Sequence, residues 1–168
     1  MRKLTLSLLT AMLLLSTGSK IKKLSETEAD HYQALRVWMD KDDKKAYFKL
    51  KTEEERNQWL KDAGLWDRFY QYDPDTREKM LYGEVELGWS RDKVYMSWGS
   101  PVSKKRLTGR PAARSELLVY RFEVDKDGNV FPWVPDSKAT YKAVDTYQID
   151  CYIDDDVVTE LQRKEQWD

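Results

Sequence analysis

The sequence predicts an α+β protein, in which a helical N-terminal part is followed by a short helix packed on a small antiparallel sheet. Three observations carry this. Helix start and stop signals are dense between Ser25 and Gly83. Runs of β-forming residues with alternating polarity fill the chain from Glu116 onward. Between them, "LGWSRDKVYMSWGSP" (Leu87 to Pro101) has a start and a stop for one short helix.

The elements follow in order. Ser25-Glu26-Thr27-Glu28 is a capping box, in which a Ser and a Glu three residues on satisfy each other's backbone N–H groups. Tyr32, Leu35 and Met39 follow at helical spacing. Thr52 to Glu55 is a second box, with Trp59, Leu60 and Ala63 behind it and Gly64 as a stop. Leu65, Trp66, Phe69 and Tyr70 form an apolar patch that suits a short helix. Asp73 caps another helix, with Pro74 at its first position and Gly83 at its end. Three or four helices are expected here.

In the central stretch, Ser90 is the expected N-cap and Asp92 suits the first turn. Val94 and Trp98 share a face that can be buried. Gly99 is expected to take a left-handed cap conformation, and Pro101 prevents continuation. "ELLVYRFEV" (Glu116 to Val124) reads as a strand, and Asp125 to Asn129 as a turn. In "KAVDTYQIDCYI", Ala143, Asp145, Tyr147, Ile149, Cys151 and Ile153 form the expected core face. Asp154-Asp155-Asp156 then turns into "VVTEL", as in an antiparallel hairpin, and a polar tail (164–168) is expected to fray.

The first twenty residues have their own logic. Arg2 and Lys3 precede an apolar run from Leu4 to Leu15, and small residues follow. That is the pattern of a secretory signal peptide, here residues 1–18. The run is shorter than the roughly 20 apolar residues of a spanning helix. Export to the periplasm, or to the periplasmic face of the outer membrane, is the expected destination. Ser19 stands where a bacterial lipoprotein carries its lipid-bearing Cys, and Ser cannot form the thioether. Loss of residues 1–18 removes Arg2 and Lys3 and takes the formal charge from −1 to −3. That charge gives no basis for nucleic-acid binding. Cys151 is the single cysteine, so no internal disulfide can form. The organisation expected is thus a signal peptide (1–18), a helical region (19–82), an α+β module (83–163) and the tail.

Gly88, Ser90, Val94, Gly99 and Pro101 fit the spacing Gly-x-Ser/Thr, three residues, Val, four residues, Gly-x-Pro. With the strands that follow, this resembles the SmpA/OmlA (BamE-like) family of small outer-membrane lipoproteins, over about Gly83 to Leu161. Tyr120 and the "IDDDVVTEL" hairpin suit the same pattern, whereas Trp89 replaces the usual Met. "GWSRD" is also similar to the motif of an envelope family named for Gly-Trp-x-Thr-Asp, without its Thr. The first resemblance implies a fold like that of β-lactamase inhibitor proteins. It also implies a scaffold role beside the machinery that assembles outer-membrane β-barrels.

No catalytic constellation is legible. His31 is the only histidine and falls in an expected helix, as a surface or packing residue. Asp125-x-Asp127-Gly128-Asn129 fails as a calcium loop, because the Gly is early and the closing Glu is missing. Asp150, Asp154, Asp155 and Asp156 read as a solvated hairpin turn, and no cofactor or metal is expected. Two segments suggest contacts with other molecules. "VSKKRLTGRPAAR" carries Lys104, Lys105, Arg106, Arg110 and Arg114 with no acidic residue, and reads as a basic loop. It would suit an anionic membrane surface or simply solvent. "NVFPWVPDS" sets Phe131 and Trp133 among prolines, where a stiff loop either packs its aromatics over the sheet edge or presents one to a partner at low entropic cost. The expectation is therefore a non-enzymatic scaffold that binds envelope proteins. The alternative is a periplasmic ligand-binding or inhibitory module for glycan, peptidoglycan or a secreted enzyme.

Overall fold

The computed structural model describes residues 20–135 and 142–167. The expected signal segment and the candidate lipid position Ser19 lie outside the described residues. Helices α1 (Glu26–Leu35), α2 (Lys41–Lys49), α3 (Glu53–Asp62), α4 (Trp66–Tyr70) and α5 (Pro74–Tyr82) come first, and α6 (Arg91–Trp98) follows. Strands β1 (Ser103–Leu107), β2 (Ser115–Asp125), β3 (Val130–Pro132), β4 (Ala143–Asp154) and β5 (Val157–Lys164) complete the chain. The fold is α+β, as the sequence predicts.

Local chemistry sets most helix ends. Ser25 and Glu28 form the reciprocal box on α1, and Thr52 and Glu55 form it on α3. Asp73 accepts from the Thr76 N–H at 2.9 Å, and Gly83 closes α5 with φ 74° and ψ 23°, the left-handed cap that glycine favours. Each such cap contributes about 1 kcal/mol. Two details depart from expectation. Met39 does not extend α1: the helix stops at Leu35, and a 3-10 turn (Arg36–Trp38) carries the chain to a buried Met39. Helix α2 was not expected. Its cap is Asp40, which accepts from the N–H groups of Asp42 and Asp43 at 2.7 and 2.8 Å.

All strand pairs are antiparallel, in the order β1-β2-β4-β5. Strand β3 lies off this path and also pairs with β2. Because β4 takes the other side of β2, β1 and β3 share one edge. Ser103 sits opposite Val119, and Pro132 opposite Phe122, so a gap opens at Tyr120 and Arg121. β1 corrects an expectation: residues 103–107 of the basic segment are a strand, held by edge pairing with β2 rather than by strand propensity.

One hydrophobic core joins helices and sheet. Leu35, Leu60 and Met80 belong to the same buried cluster as Leu118, Phe122 and Ile153, with Val94 and Trp98 of α6 among them. Gly83 thus marks a change of secondary structure inside a shared core. Fully burying a large apolar side chain contributes about 1.5–3 kcal/mol, so this joint is strong.

The sheet's other face is more polar and less open than its sequence suggests. Gln148 and Asp150 are buried, although they alternate with the core residues. They satisfy one another and their neighbours: Gln148 donates to Asp150 at 2.8 Å, Arg121 donates to Gln148 at 3.3 Å, and Lys164 lies 2.9 Å from Asp150. The tail is held as well. The Trp167 indole donates to the Tyr147 carbonyl at 3.0 Å and packs 5.4 Å from the ring of Trp133. Among the described residues, no helix is long and apolar enough to cross a membrane.

Candidate functional site

The five motif residues act together at the seam between helices and sheet. Gly88 has φ +84°, a backbone favourable only to glycine, and its N–H donates to the Val158 carbonyl at 2.8 Å. The Val158 N–H in turn donates to Trp89, and Ser90 bridges to Val157. The start of α6 is therefore stitched to the first residues of β5. Ser90 caps the helix, and Val94 is fully buried on its inner face. Gly99 ends the helix with φ 76° and ψ −151°. This is the extended mirror region open essentially to glycine, not the expected left-handed cap.

Trp98 then anchors the end of α6. Its indole N–H donates to the Gly83 carbonyl at 2.9 Å, and its ring lies 5.0 Å from Tyr120 and 5.4 Å from Phe122. Tyr120 returns a hydrogen bond to the Gly99 carbonyl at 3.0 Å, and burial pushes its phenol pKa well up. The turn after Gly99 leads through Pro101 into β1, with the Val102 N–H on the Val119 carbonyl at 2.8 Å. Across the gap in the edge, the Trp133 N–H donates to the Arg121 carbonyl at 2.8 Å.

A cleft of about 320 Å³ opens at this gap. One wall is residues 99–102 and the other is residues 132–135. Trp98, Tyr120 and Arg121 line its inner part, and Tyr32, Arg36, Val37 and Lys44 close it from the helical region. Gly99, Pro101 and Trp133 are thus brought to one place. Trp133 is half-buried, with Arg121 over its ring at 5.9 Å. Val134 beside it is 52% exposed, at the mouth. Nothing in the sequence singles out Arg36: a cation near the end of a helix is ordinary, and only the folded chain places it against Gly99.

Phe131 lies in β3 and is buried, in keeping with packing at the sheet edge rather than with an exposed anchor. The basic segment stays largely exposed, but three of its five cations have carboxylate partners within the fold. Lys104 and Arg114 each lie 3.1 Å from the buried Glu116, which Arg91 also approaches at 3.1 Å. Burial pushes the Glu116 carboxyl up, but these three cations outweigh it and leave its pKa lowered. Arg110 grips Asp154 with two nitrogens, Nε at 3.0 Å and Nη2 at 2.7 Å. Lys105 and Arg106 make no ion pair among the described residues, and they point to opposite faces of β1.

The acidic residues are used structurally. Asp125 accepts from its own loop, from the N–H groups of Asp127 and Asn129, both at 2.9 Å. Asp155 and Asp156 make the β4–β5 turn with φ 46° and 68°. Asp154 is held well below the usual carboxylate range by Arg110, then Ser115 and Thr159. No group of three metal-binding side chains occurs among the described residues.

His31 is a packing residue, 1% exposed, with Nε2 2.6 Å from the Tyr70 hydroxyl and its ring against Trp66 and Phe69. Burial pushes its pKa down from 6.5 to about 4; the Glu28 charge opposes this and Arg77 adds to it. The unfolded chain therefore binds a proton that the folded chain refuses between these values. This contribution to stability is complete above pH 6.5 and is lost as pH falls toward 4. The loss is expected to reach at most about 3 kcal/mol. Urea unfolding at pH 7 and pH 4.5 tests it: His31→Phe should flatten the pH dependence relative to the parent, and an unchanged slope would contradict it.

No family model, curated protein or solved structure matches the chain.

Proposed function

We propose that the chain is a non-enzymatic interaction module of the bacterial envelope, exported to the periplasm or the periplasmic face of the outer membrane. Its proposed partners are envelope proteins, including components that assemble outer-membrane β-barrels, as the BamE-like spacing implies. The observation that carries the reading is the convergence of Gly99, Pro101 and Trp133 on one cleft. A rigid seam presents an aromatic and an exposed Val134 at its mouth, which is how interface anchors are held. The buried, low-pKa His31 supports a non-catalytic role, because any histidine-based constellation would have to be built around it. Contact with an anionic membrane has weaker support, since Glu116 and Asp154 engage Lys104, Arg114 and Arg110.

The test is affinity capture from detergent-solubilised envelope by the chain lacking residues 1–18. A partner held in fixed ratio is expected, and Trp133→Ala, shown to be folded by circular dichroism, should weaken its capture tenfold or more. Full capture by the variant would remove Trp133 as an anchor. The cleft also favours a second reading, a periplasmic module that binds glycan or peptidoglycan. Tryptophan fluorescence titrated with peptide-free cell-wall glycan distinguishes the two, because the scaffold reading predicts no response to it.

A further inference from the structure

The cleft holds a guanidinium without a counter-charge among the described residues. Arg36 has no hydrogen-bond or ion-pair partner for its side chain among the described residues, although it is half-buried. It is held close to the turn: a Cβ on Gly99 would lie 3.7 Å from its Nη2. Lys44 lines the same cleft, and no described lining residue is acidic. Arg56 and Arg91, by contrast, are paired with Glu28 and Glu116. Arg36 lacks such a carboxylate among the described residues, and it lines a cleft.

We propose that this cleft binds a carboxylate carried on an apolar or aromatic group, as at the C-terminus of a partner's chain, and that Arg36 supplies the paired charge. A planar guanidinium matches a carboxylate through two parallel N–H···O bonds. A half-buried cation gains more from such a pair than an exposed one, since solvent has already been partly withdrawn from it. Burial depresses the Arg36 pKa, which reports the same withdrawal, and the group stays protonated at neutral pH. Tyr32, Trp98 and Trp133 provide the apolar walls. The volume of about 320 Å³ is at the lower end of small-molecule sites, which suits a terminal residue rather than a folded element. Phosphate recognition draws on clusters of arginines, and a single partnerless guanidinium fits a monoanion better.

The proposal rests on the reading of the chain as an interaction module and names what the cleft takes. The probes are N-acetyl-phenylalanine and its neutral amide, nearly isosteric and different in charge. They are titrated into the purified chain while tryptophan fluorescence and NMR amide shifts are followed. Saturable binding of the acid is expected, with the amide weaker by roughly tenfold or more. Arg36→Gln should abolish that preference, and Arg36→Lys should retain part of it. Equal binding of acid and amide, or no binding of either, would overturn the proposal. So would tighter binding of inorganic phosphate, or an acid preference that persists in folded Arg36→Gln. The acid-against-amide comparison uses the unaltered chain, so it decides even where a variant does not fold. Envelope capture with no acid preference would remove the carboxylate assignment and leave the module reading intact.

Discussion

Glu28→Gln is expected to lower the free energy of unfolding by about 3–5 kcal/mol, the usual consequence of breaking one side of a buried ion pair. Glu28 and Arg56 have side chains only 4% and 9% exposed, and they are directly bonded. Arg56 also donates to the Leu50 carbonyl. Glu28 accepts from the Ser25 N–H at 2.7 Å, so one carboxylate both caps α1 and ties α1 to α3. Gln can keep the cap, because Gln also serves at this position of a capping box. The variant therefore isolates the charge. Burial raises the Glu28 pKa, but the Arg56 hydrogen bond, the Ser25 N–H and the Arg56 charge outweigh it and leave the pKa below 4.5. A depressed carboxylate stabilises above its unfolded value and loses that contribution as pH falls through its folded one. Parent and variant should therefore converge in stability as the solution is acidified below pH 4.5. Urea unfolding across this range checks both statements. A loss under 1 kcal/mol at pH 7, or a gap that widens in acid, would contradict them. Removing both charges, with Glu28→Leu and Arg56→Met together, should cost less than Glu28→Gln alone.

Trp98→Ala is expected to cost about 3–5 kcal/mol, as for other buried aromatics cut back to Ala. Trp98 is 6% exposed and joins α6 to two other parts of the fold: Gly83 after α5, and Tyr120 and Phe122 of β2. The cavity left behind would lie along the seam, beneath the cleft. Trp98→Phe keeps most of the ring and loses the N–H; the Gly83 carbonyl keeps the Val85 N–H at 3.1 Å, so the lost bond should cost about 0.5–1.5 kcal/mol. Both are measured by urea unfolding followed by far-ultraviolet circular dichroism, which does not depend on the altered tryptophan. If helices and sheet share a core, each variant should still unfold in a single transition, shifted to lower urea. Two separated transitions would show that the helical region and the sheet unfold independently.

The helices were legible where side chains satisfy backbone groups locally. Ser25, Thr52, Asp73 and Ser90 each cap the helix that follows, and Gly83 and Gly99 end theirs with positive φ. Helix α2 was missed because "KDDKKAYFK" shows charge before apolar spacing, yet its Tyr47 is fully buried against Tyr32 and Trp59. Strand β1 was missed because "SKKRL" has no strand pattern; β2 supplies its partner. Ion pairs between distant residues carry no sequence signature, so the partners Glu116 and Asp154 of three of the five basic residues were not legible. The same limit applies to the cleft. Its Gly-x-Pro turn and Trp133 were readable one by one, but their meeting with Arg36 depends on the gap between β1 and β3.

The central claim is that partners meet this chain at the seam, and site-specific photo-crosslinking in the cell envelope tests it directly. A photo-reactive residue would replace Val134, 52% exposed at the mouth of the cleft, or Leu87, 63% exposed before α6 and outside the cleft lining. The account predicts a discrete protein adduct from position 134 and none from position 87. Adducts from position 87 with none from position 134 would contradict it.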